Sequence, residues 1–272
     1  MSVIRVVVAG ATGSTGRAVA EGVLAADDLE LVAAVSRSSA GVELATAWGS
    51  TAPRVPVFRS VGEALDADRA DVVVDYTSHD VVLESTLTAV SRGARVVIGT
   101  SGLTADDFEV IAAAADDAGL GVISAGNFSL TAALAQAAAL LVAPHLPHRE
   151  IVDYAWAGKR DAPSGTAREL AERLGALDAP EPAVPVVAVD DTAGVREARG
   201  AAIAGTQVHS VRLPSFSVST EVIFALPDER LVIRHDAGPS AQPYVAGTLL
   251  AVRAVMTTSG LVRGLDTLLL SR

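Results

Sequence analysis

The sequence contains no cysteine, which excludes disulfides, thiolate metal sites and a cysteine nucleophile. It is almost as poor in lysine: of 21 basic residues in a chain of 272, Lys159 alone is lysine and the others are arginine. The shortage reads either as drift toward arginine or as the mark of one position where arginine cannot serve. Arginine stays protonated at any working pH, whereas lysine can release its proton. Basic charge is short overall. Against 32 acidic residues the formal net charge is −11, which argues against a nucleic-acid groove and leaves room only for local basic pockets that take small anions. Long apolar runs are missing too. The longest, 130–143, contains Gln136, stops at Pro144 and is too short to span a membrane. The run 3–8 meets glycine at once, without the longer apolar region and cleavage site of a signal peptide. The expectation is a soluble cytoplasmic protein.

Half of the residues are apolar and 19% are charged, the composition of a globular chain rather than a disordered one. The length suits one large or two modest domains with ample core. Residues 3–9 form a continuous β-branched run, as expected for a strand buried on both faces. A turn over 10–16 and a helix over 17–26 follow, then a second strand at 31–35. Further strands are predicted at 72–74, 96–98 and 121–124, separated by helices around 80–92 and 104–118. This alternation predicts an α/β fold with a Rossmann-type parallel sheet. After about residue 126 the pattern changes. A helix over 131–142 precedes a strand at 151–156, a loop, and a helix from about 165 to 174. Residues 178–200, rich in proline, glycine and aspartate, read as a long connection. Residues 207–212, 218–225 and 231–235 read as antiparallel strands, with Pro227-Asp228-Glu229 as a turn, and a last helix covers 243–258. The second domain is therefore expected to be α+β, with a mixed or antiparallel sheet.

The turn Gly10-Ala11-Thr12-Gly13-Ser14-Thr15-Gly16 has G-x-x-G-x-x-G spacing between a strand and a helix, a variant of the dinucleotide fingerprint. Glycine is needed there because the turn is tight and a pyrophosphate must approach bare backbone at a helix N-terminus. The second strand ends in Ser36-Arg37-Ser38-Ser39, with no carboxylate to hold ribose hydroxyls until Glu43. One arginine and three hydroxyls suit a 2′-phosphate, which favours NADPH over NADH. Asp75-Tyr76-Thr77-Ser78, Gly99-Thr100-Ser101-Gly102 and Gly126-Asn127-Phe128-Ser129 also follow strands and are candidates to complete the cofactor site, although each taken singly is equally an ordinary turn. In Gly158-Lys159-Arg160-Asp161-Ala162-Pro163-Ser164-Gly165-Thr166-Ala167, Ser164 stands just ahead of a helix. The N–H groups of Gly165 and Thr166 and the hydroxyls of Ser164 and Thr166 would make an anion cradle suited to a carboxylate. For Ser-Gly-Thr alone, a simple helix cap is the stronger reading.

These residues give the chain its resemblance to the dihydrodipicolinate reductase family of bacterial lysine biosynthesis. The family's Lys-x-Asp-Ala-Pro-Ser-Gly-Thr-Ala motif is complete at 159–167, and the turns at 10–16, 99–102 and 127–129 fall in the family's order. The resemblance implies reduction of an imine-like or unsaturated cyclic dicarboxylate by NADPH or NADH, usually in a homotetramer. It implies proton donation by Lys159 and carboxylate binding by Ser164, Gly165 and Thr166. Two departures stand out. The family's Glu-x-His-His-x-x-Lys becomes Asp153-Tyr154-Ala155-Trp156-Ala157-Gly158-Lys159, so both histidines are gone. A later Gly-Asp-Ile-Val-Gly-Glu-His becomes Pro214-Ser215-Phe216-Ser217-Val218-Ser219-Thr220, while Arg212 fits the family. Trp156 offers an apolar face and one N–H, and Phe216 would add apolar surface if its strand lined the pocket.

The expectation is thus an NAD(P)H-dependent reductase of a C=N or conjugated imine bearing a carboxylate. The lost histidines favour a substrate altered from the family's dicarboxylate, while survival of the original reaction, with water or other residues in their place, stays open. A non-catalytic NADPH-binding sensor and an amine dehydrogenase or reductive aminase stay open as alternatives. Lys159 is the expected catalytic acid; Ser101, Trp156, Arg212 and the 164–166 turn are expected to bind substrate. Gly10, Thr12, Gly13, Ser14, Thr15, Gly16, Ser36, Arg37, Ser38, Tyr76, Thr77, Gly99, Ser101, Gly126 and Phe128 are expected to bind the cofactor. No metal site is expected, because His145 and His148 lack a third ligand at metal spacing and His209 and His235 lie in strands. The domains are expected at 1–126 for the dinucleotide and 127–239 for substrate and oligomerisation, with a helix within 240–272 packing back on the first.

Overall fold

The computed structural model describes residues 3–50, 54–178 and 184–270. From the N-terminus, strands and helices alternate as β1 (Ile4–Ala9), α1 (Ser14–Leu24), β2 (Leu29–Val35), α2 (Leu44–Trp48), β3 (Val57–Phe58), α3 (Val61–Ala67), β4 (Val72–Asp75), α4 (Val82–Ser91), β5 (Arg95–Ile98), α5 (Ala105–Ala118) and β6 (Gly121–Ser124). Then come α6 (Leu130–Val142), β7 (His148–Ala155), α7 (Gly165–Gly175), two 3₁₀ turns, β8 (Ala201–Ile203), β9 (Thr206–Arg212), β10 (Val218–Leu226) and β11 (Glu229–Ala237). The chain closes with α8 (Pro243–Val255), β12 (Gly260–Arg263) and α9 (Leu265–Leu270). It divides into two compact units, one of residues 1–130 with 241–272, the other of residues 131–240.

The first unit is a seven-stranded sheet in the order β12-β6-β5-β4-β1-β2-β3, parallel throughout. Its central strands are runs of valine. Val6, Val7, Val8, Val72, Val73, Val74, Val96 and Val97 are all fully buried, and each such side chain contributes about 1.5–3 kcal/mol of transfer free energy. Local signals set the helix boundaries. Ser60 caps α3 by accepting from Glu63 N–H at 3.2 Å, and Thr104 and Asp107 form a reciprocal capping box at the start of α5. The C-terminal segment is part of this unit. Arg253 of α8 chelates Asp28 at 2.6 and 2.8 Å, and β12 adds a parallel strand beside β6.

The second unit is a five-stranded sheet in the order β11-β10-β7-β9-β8. Ile151, Val208, Val222 and Phe224 bury one face of it against Ala139 and Ala143 of the α6 region and Ala167, Leu170 and Leu174 of α7. The structure departs from the sequence pattern in two places. First, 207–212 is not simply one of an antiparallel series, because β9 runs parallel to β7, which sits between β9 and β10. The five residues 213–217 carry the chain past β7, whose buried Ile151, Asp153 and Ala155 are thereby flanked on both edges. Second, the last helix stops at Val255, and Gly260, at φ +72, turns the chain into a strand that helical periodicity hid. The expected connection over 178–200 agrees with the structure, its described residues holding only two 3₁₀ turns at Val189–Asp191 and Arg196–Arg199; residues 179–183 lie outside the described ones. The short α2, β3 and α3 escaped the sequence reading because elements of two to seven residues fall below the length at which periodicity is informative.

Candidate active site

In the first unit the glycine turn lies at the carboxyl edge of the sheet. Gly10 takes φ +82, and a Cβ there would overlap the Tyr76 carbonyl. A Cβ on Gly16 would overlap the Gly10 carbonyl, so neither position accepts a side chain. Gly13 N–H closes the turn on the Gly10 carbonyl at 2.9 Å and is the N-cap of α1, which has no side-chain cap. The first intrahelical bond is Arg17 N–H to Gly13 O. Ser14, Thr15 and Gly16 therefore present amides at the positive end of an eleven-residue helix with no carboxylate in its first turn. Over this turn stands Trp48, which donates from Nε1 to the Ala11 carbonyl at 3.0 Å and carries the Arg17 guanidinium 5.1 Å above its ring.

The tip of β2 joins the turn through hydroxyls. Thr12 Oγ1 and Ser36 Oγ are 2.8 Å apart, and Ser36 and Ser38 are 3.3 Å apart. A cleft of ≈ 610 Å³ connects Gly10–Gly13, Ser36, Arg37, Ser38, Arg59 and the Tyr76–Ser78 turn. Arg59 was not singled out from the sequence, because β3 is only two residues long. Asp75 ties two further turns together. Its Oδ1 accepts from Thr77 N–H at 3.0 Å, Thr77 Oγ1 at 2.7 Å and Thr100 Oγ1 at 2.7 Å, while burial pushes the carboxyl above the usual carboxylate range. The Tyr76 ring lies where a side chain on Gly99 would go, and its hydroxyl is 2.7 Å from Thr248 Oγ1. Burial drives that phenol's pKa up. The Phe128 ring is buried edge-on to Tyr76 at 6.3 Å, so it packs in the core; Gly126 and Ser101 are exposed. The bare glycine cradle, the uncapped helix and the cleft to the β2 tip fit a dinucleotide.

The second unit holds the motif loop. Ser164 is the N-cap of α7, its hydroxyl accepting from Ala167 N–H at 3.3 Å, and its own N–H donates to Asp153 at 2.9 Å. Gly165 opens the helix; Thr166 is buried, and its carbonyl accepts from Gln136 at 3.5 Å. Lys159 Nζ is held by Asp161 at 2.7 Å and stands 5.2 Å from the centre of the Trp156 ring. Trp156 is 47% exposed. Arg212 is directed at Asp153 and at the Asp161 carbonyl, at 2.8 and 2.7 Å. Phe216 packs instead on Tyr154, ring centres 4.9 Å apart. Tyr154 alternates with the buried Asp153 along β7, so Phe216 lies against the opposite sheet face from the α7 N-terminus and does not add apolar surface there. Among the described residues no group of three or more His, Asp or Glu is placed to hold a metal, and no helix is long and apolar enough to cross a membrane.

A parallel doubly wound sheet with this glycine turn, in a chain that also holds a smaller mixed-sheet unit, defines the class as an NAD(P)H-dependent oxidoreductase with a Rossmann-type cofactor unit. The family model described as dihydrodipicolinate reductase, N-terminus, matches residues 4–128, and that described as dihydrodipicolinate reductase, C-terminus, matches residues 127–269. The chain belongs to the dihydrodipicolinate reductase family. It is 37% identical over 275 residues to a 4-hydroxy-tetrahydrodipicolinate reductase of Thermosynechococcus vestitus, covering 98% of this chain and 97% of the relative. It is 36% identical to the enzyme of that name from Moorella thermoacetica, covering 99% of each. The structure of a dipicolinate-bound dihydrodipicolinate reductase from Paenisporosarcina sp. TG-14 matches with TM-score 0.77 at 30% identity, covering 97% of this chain and 99% of that one. An amine dehydrogenase from Mycobacterium smegmatis shares the fold at TM-score 0.66 and 16% identity.

Proposed function

We propose that the protein is an NADPH-dependent reductase of a cyclic imine carboxylate, with Lys159 as the proton donor and the Ser164–Thr166 turn as the carboxylate site. The observation that carries this reading is that the chain's only lysine and the N-terminus of α7 share one loop, braced from behind by Arg212. NADPH, when bound, supplies the hydride. Gly10, Gly13 and the first turn of α1 would hold its pyrophosphate. Thr12, Ser36, Arg37, Ser38 and Arg59 would surround a 2′-phosphate, and Asp75 keeps the Tyr76–Thr77 and Gly99–Ser101 turns in place beside them. Reduction of a C=N bond adds hydride to carbon and a proton to nitrogen or the conjugated carbon. Lys159 Nζ, held in its ion pair with Asp161, delivers that proton. Gly165 N–H, Thr166 and the Ser164 hydroxyl take the carboxylate at the positive end of α7.

The exposed indole of Trp156, where the family has histidine, favours a substrate with one carboxylate and an apolar remainder over a dicarboxylate. A comparison of NADPH oxidation with tetrahydrodipicolinate and with a monocarboxylate cyclic imine, such as 1-piperideine-2-carboxylate, decides between them. The monocarboxylate should show the higher kcat/KM, and Lys159→Met should slow its single-turnover reduction by about 100- to 10,000-fold with NADPH affinity unchanged. Preference for tetrahydrodipicolinate would sink the altered-substrate reading. An unslowed Lys159→Met would remove the lysine's role as acid.

A further inference from the structure

Behind the residues assigned to ligands, one buried ion pair joins both ends of the motif loop. Asp153 on β7 is wholly inaccessible to solvent, between Ile151 and Ala155 on the same face. Its Oδ2 accepts from Arg212 Nη2 at 2.8 Å, from Ser164 N–H at 2.9 Å and from Ser210 Oγ at 3.4 Å. The same Arg212 Nη2 donates to the Asp161 carbonyl at 2.7 Å, and Nη1 donates to the Asp153 carbonyl at 3.2 Å. Asp161 in turn holds Lys159. The sheet register makes this possible. In the parallel β7–β9 ladder Asp153 lies beside Ser210 and Ala155 beside Arg212, so the guanidinium arrives from a strand that is not part of the loop.

A buried carboxylate–guanidinium pair adds little net stability, because desolvation offsets most of the attraction. This pair is also poorly saturated: Asp153 Oδ1 and Arg212 Nε are buried with no partner among the described residues, while three donors converge on Oδ2. The bonds that do form link the carbonyl of Asp161 to the amide of Ser164 through two side chains. One end of that link carries the ammonium, the other the helix N-terminus. We infer that Asp153 and Arg212 are positioning residues, which fix the Lys159 ammonium and the start of α7 relative to each other so that the substrate meets proton donor and carboxylate site together. Arg212 thus acts from behind the loop instead of on the substrate. The inference rests on the assignment of the 164–166 turn to a carboxylate.

The test uses the full chain with Asp153→Asn, Arg212→Gln and the rescue variant Asp153→Glu. Pyridine-2,6-dicarboxylate serves as probe, since it offers a carboxylate whichever substrate reading holds. In Asp153→Asn and Arg212→Gln its affinity should fall by about 10- to 100-fold, the scale of one lost charge-assisted hydrogen bond. Single-turnover reduction should slow, NADPH affinity should stay at the wild-type value, and amide exchange should quicken over both 157–161 and 164–168. Asp153→Glu, which keeps the carboxylate, should recover most of the lost affinity and rate. Wild-type exchange in both segments together with wild-type probe affinity would overturn the inference. Equal losses of NADPH and probe affinity, the mark of general loosening, would also overturn it. Failure of the carboxylate assignment looks different: the wild-type protein then does not bind the probe, yet Arg212→Gln still loosens both segments at once.

Discussion

Asp75 ends β4 without solvent exposure, and only one of its two oxygens has a partner among the described residues. Burial raises its folded pKa, against the pull of the Thr77 and Thr100 hydrogen bonds. A carboxyl whose folded pKa lies above its unfolded value binds its proton more firmly in the native state, so stability falls as pH rises from the ordinary carboxylate range through the raised value. Asp75→Asn keeps the oxygen that accepts all three bonds and removes the titration. Melts between about pH 4 and pH 7 should then lose this part of the pH slope, with a neutral-pH Tm at or above that of the wild type. Asp75→Ala removes the acceptor and should cost about 1–3 kcal/mol. An Asn variant as pH-sensitive as the wild type would show that another group sets the slope. Lys159 contrasts with this buried acid: it lies in a loop and is partly open to solvent.

At the scale of elements, the two helix starts do different work. α1 starts at a glycine that leaves its first turn bare, whereas α7 starts at Ser164, which satisfies Ala167 N–H and fixes the start of the helix. The three fingerprint glycines are also not equivalent. Gly16 has no room for a Cβ, while a Cβ on Gly13 would meet only the Gly10 carbonyl, at 3.3 Å. Gly16→Ala should therefore lower both Tm and NADPH affinity. Gly13→Ala should leave Tm nearly unchanged and weaken NADPH by about tenfold or more, equivalent to about 1.4 kcal/mol, because the methyl faces the ligand's approach. Calorimetry and fluorescence titration separate the two effects; equal Tm losses would refute the distinction. The turn was legible in the sequence because its spacing is local. Trp48 and Arg59, which stand over and beside it, were not, because they arrive on elements too short to announce themselves.

On the scale of the molecule, the five-stranded sheet has one face covered by α6 and α7, and the other carries Val152, Tyr154, Ile223 and the exposed Val232 in neighbouring positions. Open sheet faces of this composition are where copies of a chain associate. We propose a homo-oligomer, dimer or tetramer, built on this face. Sedimentation should give a dimeric or tetrameric mass for the wild type and a lower mass for Ile223→Glu, with the NADPH affinity of the first unit retained. A wild-type monomer would exclude this assembly. Beside that apolar strip the same face carries charge, with Arg234 paired to Glu221 and Asp236.

By itself the sequence determined the parallel α/β architecture, the bare glycine turn, the Ser-Arg-Ser tip and the lysine-to-helix motif. Each is written in residues close together in the chain, where spacing and residue type dictate backbone shape. Only the tertiary structure decided that β9 lies parallel to β7, that a strand follows α8, and that Phe216 faces away from the α7 N-terminus. It also decided what Asp75, Asp153 and Arg212 do. Their partners lie 25, 11 and 59 residues away, and strand register, which no local pattern encodes, brings them within hydrogen-bond reach.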